Sequence, residues 1–105
     1  MRISDKQKLA IIDVLRNFEL KPAKIYLFGS RTQDHLKGGD LDLLLIVEPT
    51  CKNQIITQKM KIQDKIMGHP NIDEMKTDLI IATEEELESD PFLISIQKKL
   101  LYEFS

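Results

Sequence analysis

Three carboxylates and one Gly-Ser dipeptide stand where the local pattern otherwise calls for apolar residues. Asp40 and Asp42 open a strongly apolar run two residues apart, and side chains alternate along a strand, so both carboxylates leave it on one face. Neighbouring carboxylates repel and raise each other's pKa unless a positive charge lies between them, a need that a hard divalent cation with oxygen ligands meets. Mg²⁺ is the natural candidate. Asp78 heads a further apolar run and can join the other two if the runs pair as strands. Three carboxylates suit two metal ions about 3.5 to 4 Å apart, the arrangement that clamps attacking and leaving oxygens in an in-line phosphoryl displacement. Gly29-Ser30 supplies the complementary half. A glycine lets the backbone approach a phosphate, the free N–H groups of a starting helix favour anions, Ser30 adds a hydroxyl donor and Arg31 a planar cation. Nucleotidyl transfer needs both parts close together: amides that hold phosphates and carboxylates that hold the bridging metals.

These residues need a frame. Ser4 followed by Gln7 is a capping-box pattern, and Leu9, Ile11, Ile12, Leu15 and Phe18 then recur at helical spacing, which predicts a first helix closed by Pro22. The run from Lys24 to Phe28 is short and apolar and predicts a buried strand ending at Gly29-Ser30. Residues 31–37 have the composition for one or two helical turns, and Gly38-Gly39 marks a turn before the next strand. From Leu41 to Glu48 nearly every position is apolar, as in a mid-sheet strand covered on both faces. Apolar residues three to four apart from Cys51 to Met67 predict a second long helix, broken by the residues from Gly68 to Asn71. Asp78 to Ala82 reads as a third strand and Thr83 with Glu86 as the cap of a short turn. Asp90-Pro91 then opens a closing helix carrying Leu93, Ile96, Leu100 and Phe104. The fold class expected is α/β, a small sheet flanked by helices.

Composition narrows the function. At 105 residues, 42% hydrophobic and 30% charged, the chain is expected to form one globular domain over residues 1–105. Fifteen Lys plus Arg against seventeen Asp plus Glu leave a formal charge of −2, which disfavours nonspecific DNA binding by counterion release. No apolar run approaches the length of a membrane span, the N-terminal residues carry charges through their apolar positions, and the lone Cys51 can form no internal disulfide. A reducing cytoplasm with no membrane partner is therefore the expected compartment. A calcium loop starting at Asp40 fails because Leu44 and Cys51 stand where ligands are required, and residues 29–39 hold no Gly-Lys-Ser/Thr for a Walker loop. Cys51, His35 and His69 are isolated, although His35 lies in the Gly-Ser to Asp segment. Lys59, Lys61 and Lys65 read as the wet side of a helix, Glu84-Glu85-Glu86 as a helix start, and Tyr102 as packing or surface. By itself a Gly-Ser after a strand is usually only a turn, and an Asp-x-Asp most often a solvated strand entrance. The signal is their combination with Asp78.

Gly29-Ser30, nine residues, then Asp40-Leu41-Asp42, with a later strand-borne Asp78, resembles the DNA polymerase β-type nucleotidyltransferase superfamily. More narrowly, YLFGSR, GGDLDLLLIVE and the closing Leu100-Leu101-Tyr102-Glu103 resemble the minimal nucleotidyltransferase (MNT) proteins across nearly the whole chain. The resemblance implies a polymerase β-type α/β fold with a mixed sheet, Asp40 and Asp42 as catalytic ligands of two Mg²⁺ ions, and Asp78 as the third metal ligand, which also helps activate the acceptor hydroxyl. Gly29 and Ser30 match the family's nucleotide-phosphate turn, and Arg31 a common neighbouring position. The chain departs from several relatives at Thr32-Gln33-Asp34-His35, at Gly39 before the acidic pair, and in a longer segment from Gly68 to Lys76. The implied activity moves a nucleoside monophosphate from a nucleoside triphosphate, with ATP the donor, to an acceptor hydroxyl. The implied role is that of an antitoxin in a HEPN/MNT toxin–antitoxin system, adenylylating a tyrosine of a HEPN-domain RNase toxin. Two other readings stay open: a non-catalytic module that neutralises its partner by contact, and a transferase for a small molecule or an RNA end.

Overall fold

A computed structural model describes residues 3–18, 20, 23–28, 41–73 and 75–104. Helix α1 spans Asp5–Arg16, and its start follows from Ser4: the Ser4 hydroxyl accepts from the Gln7 N–H at 3.1 Å while the Ser4 N–H donates to Gln7 Oε1 at 2.9 Å. Its buried stripe is Ala10, Ile11, Ile12, Val14 and Leu15, whereas Leu9, expected in that stripe, is 63% exposed.

Among the described residues four strands, β1 Ala23–Phe28, β2 Leu41–Val47, β3 Thr77–Ala82 and β4 Lys98–Phe104, form a mixed sheet in the order β3-β2-β1-β4. β1 runs antiparallel to both β2 and β4, while β2 and β3 are parallel. The mid-sheet place expected for β2 holds, and its burial on both faces explains why its sequence barely alternates. Side-chain alternation gives the sheet two unlike faces. Ile25, Leu27, Leu43, Leu45 and Leu79 share the larger core with α1 and with Ile55, Ile62 and Ile66. Leu44, Ile46 and Ala82 line the other face, beneath Leu93.

The parallel β2–β3 pair requires a crossover, supplied by α2 Pro49–Thr57 and α3 Lys59–Met67. This corrects the single helix expected from Cys51 to Met67. The break is Gln58, at φ −102° and ψ 4°, preceded by Thr57, whose hydroxyl donates to the Gln54 carbonyl at 2.6 Å and competes with the helical ladder. Ile55, Ile62 and Ile66 still face the core, while Ile56 and Met60 turn out to solvent.

After β3 the Thr83 capping box starts α4 Glu84–Ser89, and Asp90 Oδ1 accepts from the N–H groups of Phe92 and Leu93 to start α5 Pro91–Ser95. Lys52 on α2 donates to both carboxyl oxygens of Glu86, at 2.7 and 2.8 Å, and so ties α4 to the crossover. The closing helix expected from Pro91 onward is corrected: α5 stops at Ser95, Ile96 is extended, and residues from Lys98 form β4. The spacing of Leu93, Ile96, Leu100 and Phe104 fits a helix, but the outer side of β1 has a row of backbone donors and acceptors that a further strand can pair along its length. β4 meets that need, with a bulge at Ile25/Tyr26 and with Leu101 and Phe104 buried in the larger core. Tyr102 packs edge-on to Phe104, ring centroids 4.9 Å apart, and its hydroxyl accepts from Arg16 at 3.3 Å, in keeping with a packing role.

Candidate active site

The strand register decides whether the carboxylates can meet. Asp42 is the second residue of β2, Asp78 the second of β3, and the two are direct partners across the parallel pair. Adjacent strands lie about 4.8 Å apart and matched residues point to the same face, so both side chains stand side by side on the face opposite the larger core. The juxtaposition on which the three-carboxylate reading depends therefore holds for this pair. Asp42 is half-buried and Asp78 exposed. Asp40, one residue before β2 begins, lies outside the described residues.

β1 runs antiparallel to β2, so its last residue, Phe28, is the partner of Asp42 on the other side. Phe28 in turn pairs with Lys98 of β4, and one row crosses the sheet: Asp78, Asp42, Phe28, Lys98. Gly29, Ser30 and Arg31 follow Phe28 in the sequence and lie outside the described residues, as do the expected helical turns at 31–37 and the turn at Gly38-Gly39. The last described residue before that segment, Phe28, is the one that pairs with Asp42. Lys98 falls within the closing helix expected from the sequence, which carries no signal for its place in the row. Its ammonium donates to the carbonyls of Leu93 at 2.9 Å and Ile96 at 3.5 Å, closing the end of α5.

Both edges of β3 are held. On the β2 side the Leu41 N–H donates to the Lys76 carbonyl at 2.8 Å. On the outer side the Leu79 N–H donates to Gln63 Oε1 of α3 at 2.9 Å, and the Thr77 hydroxyl donates to the Met75 carbonyl at 3.0 Å. Gln63 drew no attention in the sequence because a glutamine between lysines on an amphipathic helix looks like solvated surface.

Among the described residues no group of three or more His, Cys, Asp or Glu side chains converges as a metal cluster. His69 serves a turn, its Nδ1 accepting from the Asn71 N–H at 3.1 Å, and Cys51 is a free, half-buried thiol. Among the described residues no helix is long and apolar enough to cross a membrane. A groove of about 460 Å³ opens at the opposite end of the sheet, where Ala23, Val47 and Thr83 line it away from Asp42 and Asp78.

What the arrangement offers is a pair of oxygen donors on one sheet face, beside the strand end that leads into Gly29-Ser30. Searches of curated proteins and of solved structures returned no match. A family model described as a nucleotidyltransferase domain matches residues 10–102, which include all six residues singled out for chemistry. That domain implies a nucleoside triphosphate substrate and transfer of a nucleoside monophosphate. With the mixed sheet, the in-register carboxylates and this match over nearly its whole length, the chain belongs to the nucleotidyltransferase domain family of the polymerase β-type superfamily.

Proposed function

We propose that the chain, acting as a single domain in the cytoplasm, moves AMP from ATP to a tyrosine hydroxyl of a HEPN-domain toxin and thereby acts as its antitoxin. The observation that carries the transferase part is the Asp42–Asp78 register pair at the sheet end where β1 leads into Gly29-Ser30. The donor set fits the metal, since carboxylate oxygens alone suit a hard ion such as Mg²⁺ better than a soft one. Asp40, Asp42 and Asp78 would hold two such ions. Bound there, the ions supply neutralisation of the triphosphate charge.

The chain's own groups do the rest. Backbone amides at Gly29 and the Ser30 hydroxyl bind phosphate oxygens, and Arg31 adds a cation beside them. Asp78, exposed at the head of β3, faces the acceptor side, where it orients the hydroxyl and takes its proton. The acceptor oxygen bonds to the α-phosphorus, the bond from that phosphorus to the bridging oxygen breaks, and pyrophosphate leaves with the electron pair. The toxin as acceptor rests on the likeness to minimal nucleotidyltransferases.

The test is incubation with α-labelled ATP, Mg²⁺ and a HEPN-domain toxin encoded beside this chain. Label is expected in the toxin, and expected to vanish with Asp40→Asn plus Asp42→Asn while the complex still forms. Transfer from no nucleoside triphosphate overturns the catalytic reading. Undiminished neutralisation by the double variant would favour contact alone.

A further inference from the structure

We infer that Gln63 is a positioning residue for Asp78, acting through the backbone of β3. The inference rests on Asp78 being a metal ligand. Among the described residues β3 is an edge strand, with β2 on one side only. Because the Lys76 carbonyl accepts from β2, strand alternation turns the backbone groups of residues 76, 78 and 80 toward β2 and those of 77, 79 and 81 outward. An outward N–H on an edge strand ordinarily goes to water. Leu79 is only 1% exposed, and its N–H goes instead to Gln63 Oε1 at 2.9 Å.

That bond is well placed to fix Asp78. The N–H of Leu79 belongs to the rigid peptide plane that also holds the carbonyl carbon and Cα of Asp78, so anchoring it sets the Asp78 ψ angle and the direction of its side chain. Gln63 is itself held firmly, since Ile62 and Ile66, on either side of it along α3, are fully buried in the larger core. Asp78 is thereby held on the β2 side by the ladder to Asp42 and on the outer side by a side chain from the crossover. A carboxylate that must share an ion with a neighbour needs its direction set to within a fraction of an ångström, and supporting hydrogen bonds do this.

The experiment titrates Mn²⁺ alone into the full chain and follows paramagnetic broadening of backbone amides around residues 42 and 78, with exchange of the Leu79 amide as a second readout. Gln63→Leu is expected to weaken Mn²⁺ binding about tenfold and to speed Leu79 exchange, in a chain whose circular dichroism is unchanged. Gln63→Glu keeps the acceptor oxygen and is expected to restore both. Where Gln63→Leu does not fold, replacing the Leu79 amide with an ester deletes the same bond, and the same tenfold loss is expected. Wild-type Mn²⁺ affinity in Gln63→Leu, or in the ester variant, beside clear weakening in Asp78→Asn, overturns the positioning role and leaves the metal-ligand reading standing. Wild-type affinity in Asp78→Asn overturns both.

Discussion

On one face of the sheet Ile25, Leu27, Leu43, Leu45 and Leu79 lie in a continuous core with α1 and α3, whereas on the other Leu44, Ile46 and Ala82 lie beneath Leu93 of a five-residue helix. The second face also carries Asp42 and Asp78 near the start of their strands, a place where the first face carries Leu41, Leu43 and Thr77. The same strands build both, because alternation lets one residue pack while the next is left to chemistry. On the proposed function, stability and reactivity are thus separated by one step along the chain. Substitutions one residue apart should then give opposite kinds of defect.

The largest effect is expected from Leu43→Ala, which empties a fully buried site on the first face. It should cost about 2–5 kcal/mol and lower the thermal midpoint by roughly 10 °C or more, as a melting curve would show. Asp78→Asn is the counterpart. It should reduce nucleotidyl transfer by about 10²-fold or more, the size seen when one electrostatic group is removed from an active site, while moving stability by no more than about 0.5 kcal/mol at an exposed position. A large melting shift with intact transfer would reverse the assignment of the two faces.

How much of this was visible in the sequence follows the same division. α1, β1, β2 and β3 are legible because capping at Ser4, apolar runs bounded by Pro or Gly for β1 and β2, and an apolar run ending at the Thr83 cap for β3 are local signals. The Asp42–Asp78 meeting was legible only as a condition, since pairing of β2 with β3 is a property of the sheet. β4 is hidden from the sequence for a physical reason: Leu93, Ile96, Leu100 and Phe104 satisfy the helical period, and the competing demand comes from the outer side of β1, far away in sequence. The break at Gln58 and the role of Gln63 depend on side-chain bonds that a hydrophobic pattern does not carry. Asp40, Gly29, Ser30 and Arg31 stand on sequence alone.

The N-terminal cap offers a milder test of the first face. Ser4 satisfies the start of α1, which supplies Ile11, Ile12 and Leu15 to the larger core. Ser4→Ala should cost about 1 kcal/mol by denaturant melts, with transfer unchanged once the chain is folded. A loss of activity without a loss of stability would mean that α1 does more than pack.

The smallest expected effect concerns the second face, whose covering begins with α4. The Lys52 ammonium donating to the Glu86 carboxylate, with the Thr83 N–H as a further donor, holds that carboxyl below its ordinary value of 4.5. A carboxyl with a lowered folded pKa binds fewer protons folded than unfolded, so its contribution is present above the ordinary value and is lost as pH falls through the folded one. Glu86 is about two-fifths exposed, so solvent screening limits the charge effect to a few tenths up to about 1 kcal/mol. Glu86→Gln keeps an oxygen acceptor for the Thr83 cap and removes only the charge. Its thermal midpoint should therefore lie slightly below that of the parent chain at pH 7, with the gap closing below about pH 4.5. A gap that widens in acid would mean that the Lys52–Glu86 pair opposes the docking of α4, and that the covering of the second face is held by Leu87 and Leu93 without electrostatic help.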